Sequence, residues 1–215
     1  MRKHPFVNEN YYHIYNRGVD KRDIFSDDKD VERFLLCMDL FSCEDPIGSV
    51  RSADVQRLQK RKKIISVIEY CLNPNHFHLI LKQEVDSGIS EFMKRLSGGY
   101  TKYFNDRHKR SGALMQGRFK SSYIEDENYF RMIFAYVMWN YKVHDIPENK
   151  KFLIRTSERE YMTEKFSIVN QIEGKNFLKI FGGYNNFLKH GKEIIQIVRE
   201  KRGKDNSSLF DFHEK

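Results

Sequence analysis

Two strand-length apolar runs around a turn constrain this chain more than anything else in it. KIISVIEYCL (63–72) is followed by NPN and then by HFHLILKQ (76–83). Both runs are rich in β-branched and aromatic residues, and Asn-Pro-Asn is turn chemistry, so the spacing predicts an antiparallel hairpin. Strand alternation puts His76 and His78 on one face and Phe77, Leu79 and Leu81 on the other. Two imidazoles at adjacent same-side positions lie within reach of one divalent cation. A bare His-x-His also occurs as an ordinary structural pair.

The flanking segments extend this hairpin into a plait. YYHIYNRG (11–18) reads as a strand stopped by Gly18. Residues 26–43 read as a helix, capped by Ser26 or Asp27, with Val31, Phe34, Leu35 and Met38 as its apolar stripe. Residues 87–108 are helical with a weak point at Gly98–Gly99. A basic, glycine-containing loop (109–118) then leads to a strand at 119–125 and a strongly apolar helix at 126–144. The order β-α-β-β-α-β predicts an α+β split βαβ (ferredoxin-like) antiparallel sheet with helices on one face. The last helix and a C-terminal helical extension follow it. We place the main domain at 1–148 and the extension at 149–215. Within the extension, 174–202 reads as one or two helices broken at Gly182–Gly183, before a polar tail. Residues 44–60 are polar and read as a loop or insertion.

The chain has 215 residues, 40% of them hydrophobic, and no run long and apolar enough to span a membrane. The first residues lack the apolar centre of a signal peptide, so the expected location is cytoplasmic, with no membrane partner. Cys37, Cys43 and Cys71 match no zinc spacing and are expected to be reduced thiols. The formal net charge is +8, which favours a polyanionic partner. Lys102, Tyr103, Arg107, Lys109 and Arg110 interleave cations with an aromatic ring. Such a pattern suits single-stranded nucleic acid, and equally an ordinary solvated helix face.

Within the 126–144 helix, Tyr136 and Asn140 are four apart and share a face. A phenol can act as a nucleophile, and an amide oxygen can ligate a hard cation. An asparagine in so apolar a helix needs a reason, because a buried amide is costly unless satisfied. At these residues the chain resembles the HUH single-tyrosine transposases, closest to the REP-associated branch. The resemblance is carried by YHIYNRGVDKRDIF (12–25), CLNPNHFHLIL (71–81), MKRLSGGYTKYFN (93–105) and QGRFKSSYIEDENYFRMIFAYVMWNYKVH (116–144). One departure is Tyr141, where relatives usually have proline after the asparagine.

The resemblance implies that His76 and His78, with Asn140, hold Mg²⁺ or Mn²⁺. It implies that Tyr136 attacks single-stranded or hairpin DNA to give a 5′-phosphotyrosine, and that Asn140 supports the site. Arg118 and Lys120, with Arg107, Lys109 and Arg110, become expected phosphate contacts. Tyr100, Tyr103 and Tyr129 are the competing nucleophiles. A homodimer and a monomer both stay open. The alternative reading is a domesticated hairpin-binding protein without catalysis.

Overall fold

The computed structural model describes residues 5–44, 62–144 and 146–204, the last four in backbone only. Most of the expected 44–60 insertion and nearly all of the polar tail lie outside the described residues. Five strands form one sheet: β1 (Tyr11–Arg17), β2 (Ile65–Asn73), β3 (His76–Gln83), β4 (Lys120–Tyr123) and β5 (Arg155–Thr156). Their order is β4-β1-β3-β2-β5 and every neighbouring pair is antiparallel. β3 therefore lies between β1 and β2, the arrangement of a split βαβ plait. The C-terminal extension is not wholly helical, since β5 pairs with β2 at the sheet edge.

The helices are α1 (Asp28–Phe41), α2 (Gly88–His108), α3 (Glu127–Met138), α4 (Asn140–Val143), α5 (Glu158–Thr163), α6 (Gln171–Phe181) and α7 (Tyr184–Lys204). Local chemistry sets their ends. Asp27 accepts from the Asp30 amide at 3.2 Å and Asp126 from the Tyr129 amide at 2.8 Å, so both helices begin at a capping carboxylate. Gly182, at φ 68°, ends α6 in the left-handed conformation that glycine adopts without strain. The weak point expected at Gly98–Gly99 does not interrupt α2. A Cβ on Gly99 would stand 2.9 Å from the Phe41 ring, so this glycine lets α1 and α2 approach.

Cross-strand partners point to the same face of a sheet. One face, with Phe77, Leu79, Leu81 and Ile14, packs on α1 and α2: the Phe34 ring is 5.2 Å from Phe77 and 4.9 Å from Tyr100. The opposite face carries His76 and His78 and is covered by α3 and the C-terminal helices. There Phe130 stacks on Phe177 at 4.5 Å, and Tyr11 meets Phe177 at 5.6 Å. Lys82 ties α6 to this face through Glu173 at 3.0 Å, with both side chains largely buried.

The helix expected over 126–144 is broken at Trp139, whose φ −112° and ψ 26° are non-helical. Its indole stacks on Phe187 at 4.9 Å and donates from Nε1 to Glu158 at 2.8 Å. A Cβ on Gly191 would stand 2.2 Å from the same ring, so α7 presses directly on it. The break is a tertiary effect: the indole is held by α5 and α7, and the backbone turns to suit.

Glu69, on the histidine face of β2, is fully buried, and neither carboxylate oxygen has a hydrogen-bond partner among the described residues. Burial, then the charge of Glu158, pushes its carboxyl well above the usual carboxylate range. A raised folded-state pKa favours folding below the unfolded value of about 4.3, and that advantage is lost as pH rises through the folded pKa. Glu69→Gln removes the titration and keeps the shape. We expect the unfolding midpoint of Glu69→Gln to gain on wild type steadily as pH rises from about 4.3. A gap that stays constant with pH would show that Glu69 ionises normally in the fold.

Candidate functional site

The mouth of the β2–β3 hairpin is held from outside. The Pro74 carbonyl accepts from Ile24 N at 2.7 Å and Phe25 N at 3.1 Å, and the Asn75 carbonyl accepts from Gly18 N at 2.8 Å. Gly18 is required here, since a Cβ would lie 2.1 Å from the Arg22 carbonyl. The turn presents Asn73 and His76 as a cross-strand pair, with Arg17 opposite His76 on β1. In the next rung Lys120, Tyr15, His78, Cys71 and Thr156 run across all five strands.

His76 and Asn140 meet directly, with His76 Nε2 2.9 Å from Asn140 Oδ1. Asn73 Nδ2 donates to Asn140 Oδ1 at 2.9 Å and reaches His76 Nε2 at 3.0 Å. The amide nitrogen of Asn75 donates to the Lys21 carbonyl at 3.2 Å, which turns Asn75 Oδ1 toward His76 Nδ1 at 2.6 Å. His76 thus carries its proton on Nδ1 and presents a lone pair from Nε2 toward the amide oxygen. Two acceptors 2.9 Å apart repel unless an amide rotates or a cation lies between them.

His78 is fully buried, and its Nδ1 is 2.8 Å from His13 Nε2. Burial first, then His13, His76 and His144, pushes its imidazole well below the usual histidine range, so it stays neutral. The His76 and His78 rings are 5.3 Å apart. Tyr136 brings its ring edge-on to His78 at 5.6 Å and to His13 at 6.1 Å.

Among the described residues no group of three or more His, Cys, Asp or Glu side chains is placed to hold a metal. The donor set that does converge is two imidazoles and one amide oxygen. Imidazole and amide donors bring no negative charge to a ligand shell, which suits a divalent cation shared with an anionic phosphate better than one held by protein alone. Asn140 Nδ2 is buried with no hydrogen-bond partner among the described residues, an unspent polar atom at the same point.

Of the expected site residues, His76, His78, Tyr136 and Asn140 come together. Lys120 joins their face in the rung of His78, and Arg118 precedes it in the chain. Lys102, Tyr103 and Arg107 sit on α2, which covers the other face. Arg107 is engaged in structure, with Asp27 at 2.6 Å and the fully buried Asp30 at 2.5 Å. Tyr103 donates to the Lys29 carbonyl at 3.3 Å, and Arg33 lies 4.9 Å from its ring centroid. Lys109 caps α2 with φ 52°, and Arg110 donates to the Ala113 carbonyl at 3.0 Å. The Tyr100 hydroxyl donates to the Ile24 carbonyl at 2.5 Å inside the core.

Sequence reasoning missed Asn73, His13, Tyr15, Arg17 and His144. His13, Tyr15 and Arg17 alternate along β1, so period two alone could have put them on one face. Asn73 was readable only as a turn residue. Tyr15 stacks on His78 at 5.6 Å and so joins Tyr129 as a rival tyrosine on this face. His144, past the helix break, places its ring 4.6 Å from His76.

Fold and site together define a class: an antiparallel plait whose sheet carries a two-histidine centre faced by a tyrosine from the following helix. Residues 6–140 match the family described as "Transposase IS200 like", and the chain belongs to that family. No curated protein matches it. Among solved structures it is similar to one described as "Structure of the REP associates tyrosine transposase bound to a REP hairpin", with 11% identity, 79% of this chain and 90% of that chain covered, and a TM-score of 0.48. No helix among the described residues is long and apolar enough to cross a membrane.

The ion pairs separate structural cations from those available to DNA. Arg107→Ala leaves the buried Asp30 carboxylate with fewer partners and should destabilise the fold by on the order of 3 kcal/mol. Lys102→Ala, at an exposed position without such a partner among the described residues, should change stability by less than about 0.5 kcal/mol. Chemical denaturation of the two variants checks this, and equal stability would remove Arg107 from the structural role.

Proposed function

We propose that the chain nicks and rejoins single-stranded DNA, with hairpin DNA as its preferred partner, through a covalent 5′-phosphotyrosine on Tyr136. The observation that carries this reading is the meeting of Tyr136 and Asn140, from α3 and α4, with the His76–His78 pair of β3. A hairpin-binding protein without catalysis has no need for that meeting.

His76, through Nε2, with His78 and the Asn140 amide oxygen would hold Mg²⁺ or Mn²⁺. When bound, such an ion withdraws charge from the phosphoryl oxygens. The remaining steps belong to the chain. Asn75 and His13 fix the two imidazoles in orientation and tautomer, so the donors do not reorganise during the reaction. Arg17 and Lys120, on the same face, and Arg118 draw in and align the backbone phosphates. Tyr136 Oη attacks phosphorus as its proton leaves. The bond to the 3′ oxygen breaks, and that oxygen takes up a proton to depart as a 3′-hydroxyl. A phenol, with a pKa of about 10, is also a better leaving group than an alkoxide, so a 3′-hydroxyl can attack the ester and restore the strand. No outside energy source is needed, because the ester conserves the bond.

The test is a labelled DNA hairpin with single-stranded flanks, incubated with Mn²⁺ and run on a denaturing gel. Wild type should give a covalent adduct and a nicked product. Tyr136→Phe should lower both by roughly 10⁴-fold or more, the scale on which enzymes respond to loss of a nucleophile, while DNA binding persists. Tyr15→Phe and Tyr129→Phe should keep the adduct. His76→Ala and His78→Ala should lose cleavage and retain most binding, and Asn140→Ala should fall between. Full adduct formation by Tyr136→Phe would overturn the assignment, and binding without any adduct in wild type would favour the non-catalytic reading.

A further inference from the structure

The chemistry above leaves one cavity beside the centre unused. It has a volume of about 390 Å³ and is lined by Tyr141, His144, Ile146, Lys151, Ile154 and Thr156. All six lie beyond residue 140, where the family match ends, so these walls belong to the part of the chain outside that match. Thr156 shares a sheet rung with Cys71 and His78, and the His144 ring stands 4.6 Å from the ring of His76. The cavity begins one side chain away from the candidate metal-holding residues.

We propose that this cavity receives a single unstacked nucleobase of the DNA strand, the base next to the scissile phosphate. This rests on the strand-cleavage reading above and adds to it a specificity pocket supplied by the C-terminal segment.

The size, rings, walls and polar groups of the cavity favour a base over other occupants. Ligand pockets run from about 300 to 1,000 Å³, so this one has room for a base and its sugar but none for a duplex. Tyr141 and His144 offer flat rings, and bases of any identity stack on such rings. Ile146 and Ile154 supply apolar walls. Thr156 Oγ1 accepts from the Glu158 amide at 3.3 Å, which leaves its hydroxyl proton to donate to a base edge. Lys151 brings a cation to the rim. Its partner Glu148 is an exposed neighbour three residues earlier, a pairing weak enough for a phosphate to displace. One hydroxyl reads little sequence, so the expected preference is for one base at one position.

The experiment uses a pool of DNA hairpins whose single-stranded flanks are randomised, incubated with the full chain and Mn²⁺. Covalent adducts are recovered and their flanks sequenced. Wild type should enrich one base at one position next to the cut, and an abasic site there should lower adduct yield about tenfold, the scale of one lost stacking contact. Tyr141→Ala should flatten that enrichment and become indifferent to the abasic site, whereas Tyr141→Phe, which keeps the ring, should behave like wild type. Ile154→Arg, which fills the cavity, should act like Tyr141→Ala. If Tyr141→Ala and Ile154→Arg keep the wild-type flank preference, or if the abasic site costs all proteins equally, the pocket proposal is overturned while strand cleavage stands. If wild type forms no adduct with any hairpin, the cleavage reading fails and takes this one with it.

Discussion

The buried amide of Asn140 joins the two halves of the site. Its oxygen lies 2.9 Å from both Asn73 Nδ2 and His76 Nε2, inside a region that excludes water. A buried amide costs free energy unless its polar atoms are used. The contact therefore selects one register of α4 against the mouth of the hairpin. Tyr136, one turn earlier, is then carried to the neighbouring imidazole and meets His78 at 5.6 Å. The second polar atom of the amide, Nδ2, has no hydrogen-bond partner among the described residues, a residual cost at the point where a ligand would sit.

That register depends in turn on the C-terminal segment. Trp139 separates Tyr136 from Asn140 and carries the helix break. Its indole is held by Glu158 from α5 and Phe187 from α7. Tyr184 donates to the same carboxylate at 2.9 Å, so one acidic side chain ties the break to two helices. The extension also supplies β5 and the walls of the cavity beside His144. A region past the family match thus shapes both the angle of the segment that carries Tyr136 and Asn140 and the space next to it.

Most of the sheet was legible because its signals are local. The NPN turn, the period-two alternation of β1 and β3, and the acidic caps of α1 and α3 each act within a few residues. Family resemblance added the roles of His76, His78, Tyr136 and Asn140, and the fold gathers these four. What stayed hidden depends on contacts distant in sequence. Nothing near Trp139 announces a break, because the cause lies some twenty and fifty residues later in Glu158 and Phe187. Arg107 looked like a phosphate contact because its partners are distant in sequence, Asp27 at the cap of α1 and Asp30 in its first turn. His13 looked like one more strand residue until the pairing of β1 with β3 brought its Nε2 within 2.8 Å of His78 Nδ1.

The central claim is that sheet and helix bring one particular phenol, among several tyrosines on that face, to the two-histidine centre. Peptide mapping by mass spectrometry of the wild-type adduct, formed on hairpin DNA and digested, tests it most directly. The account predicts a nucleotide 5′-phosphate attached to Tyr136 and to no other residue. Attachment at Tyr15 or Tyr129, whose rings share that face, would contradict it.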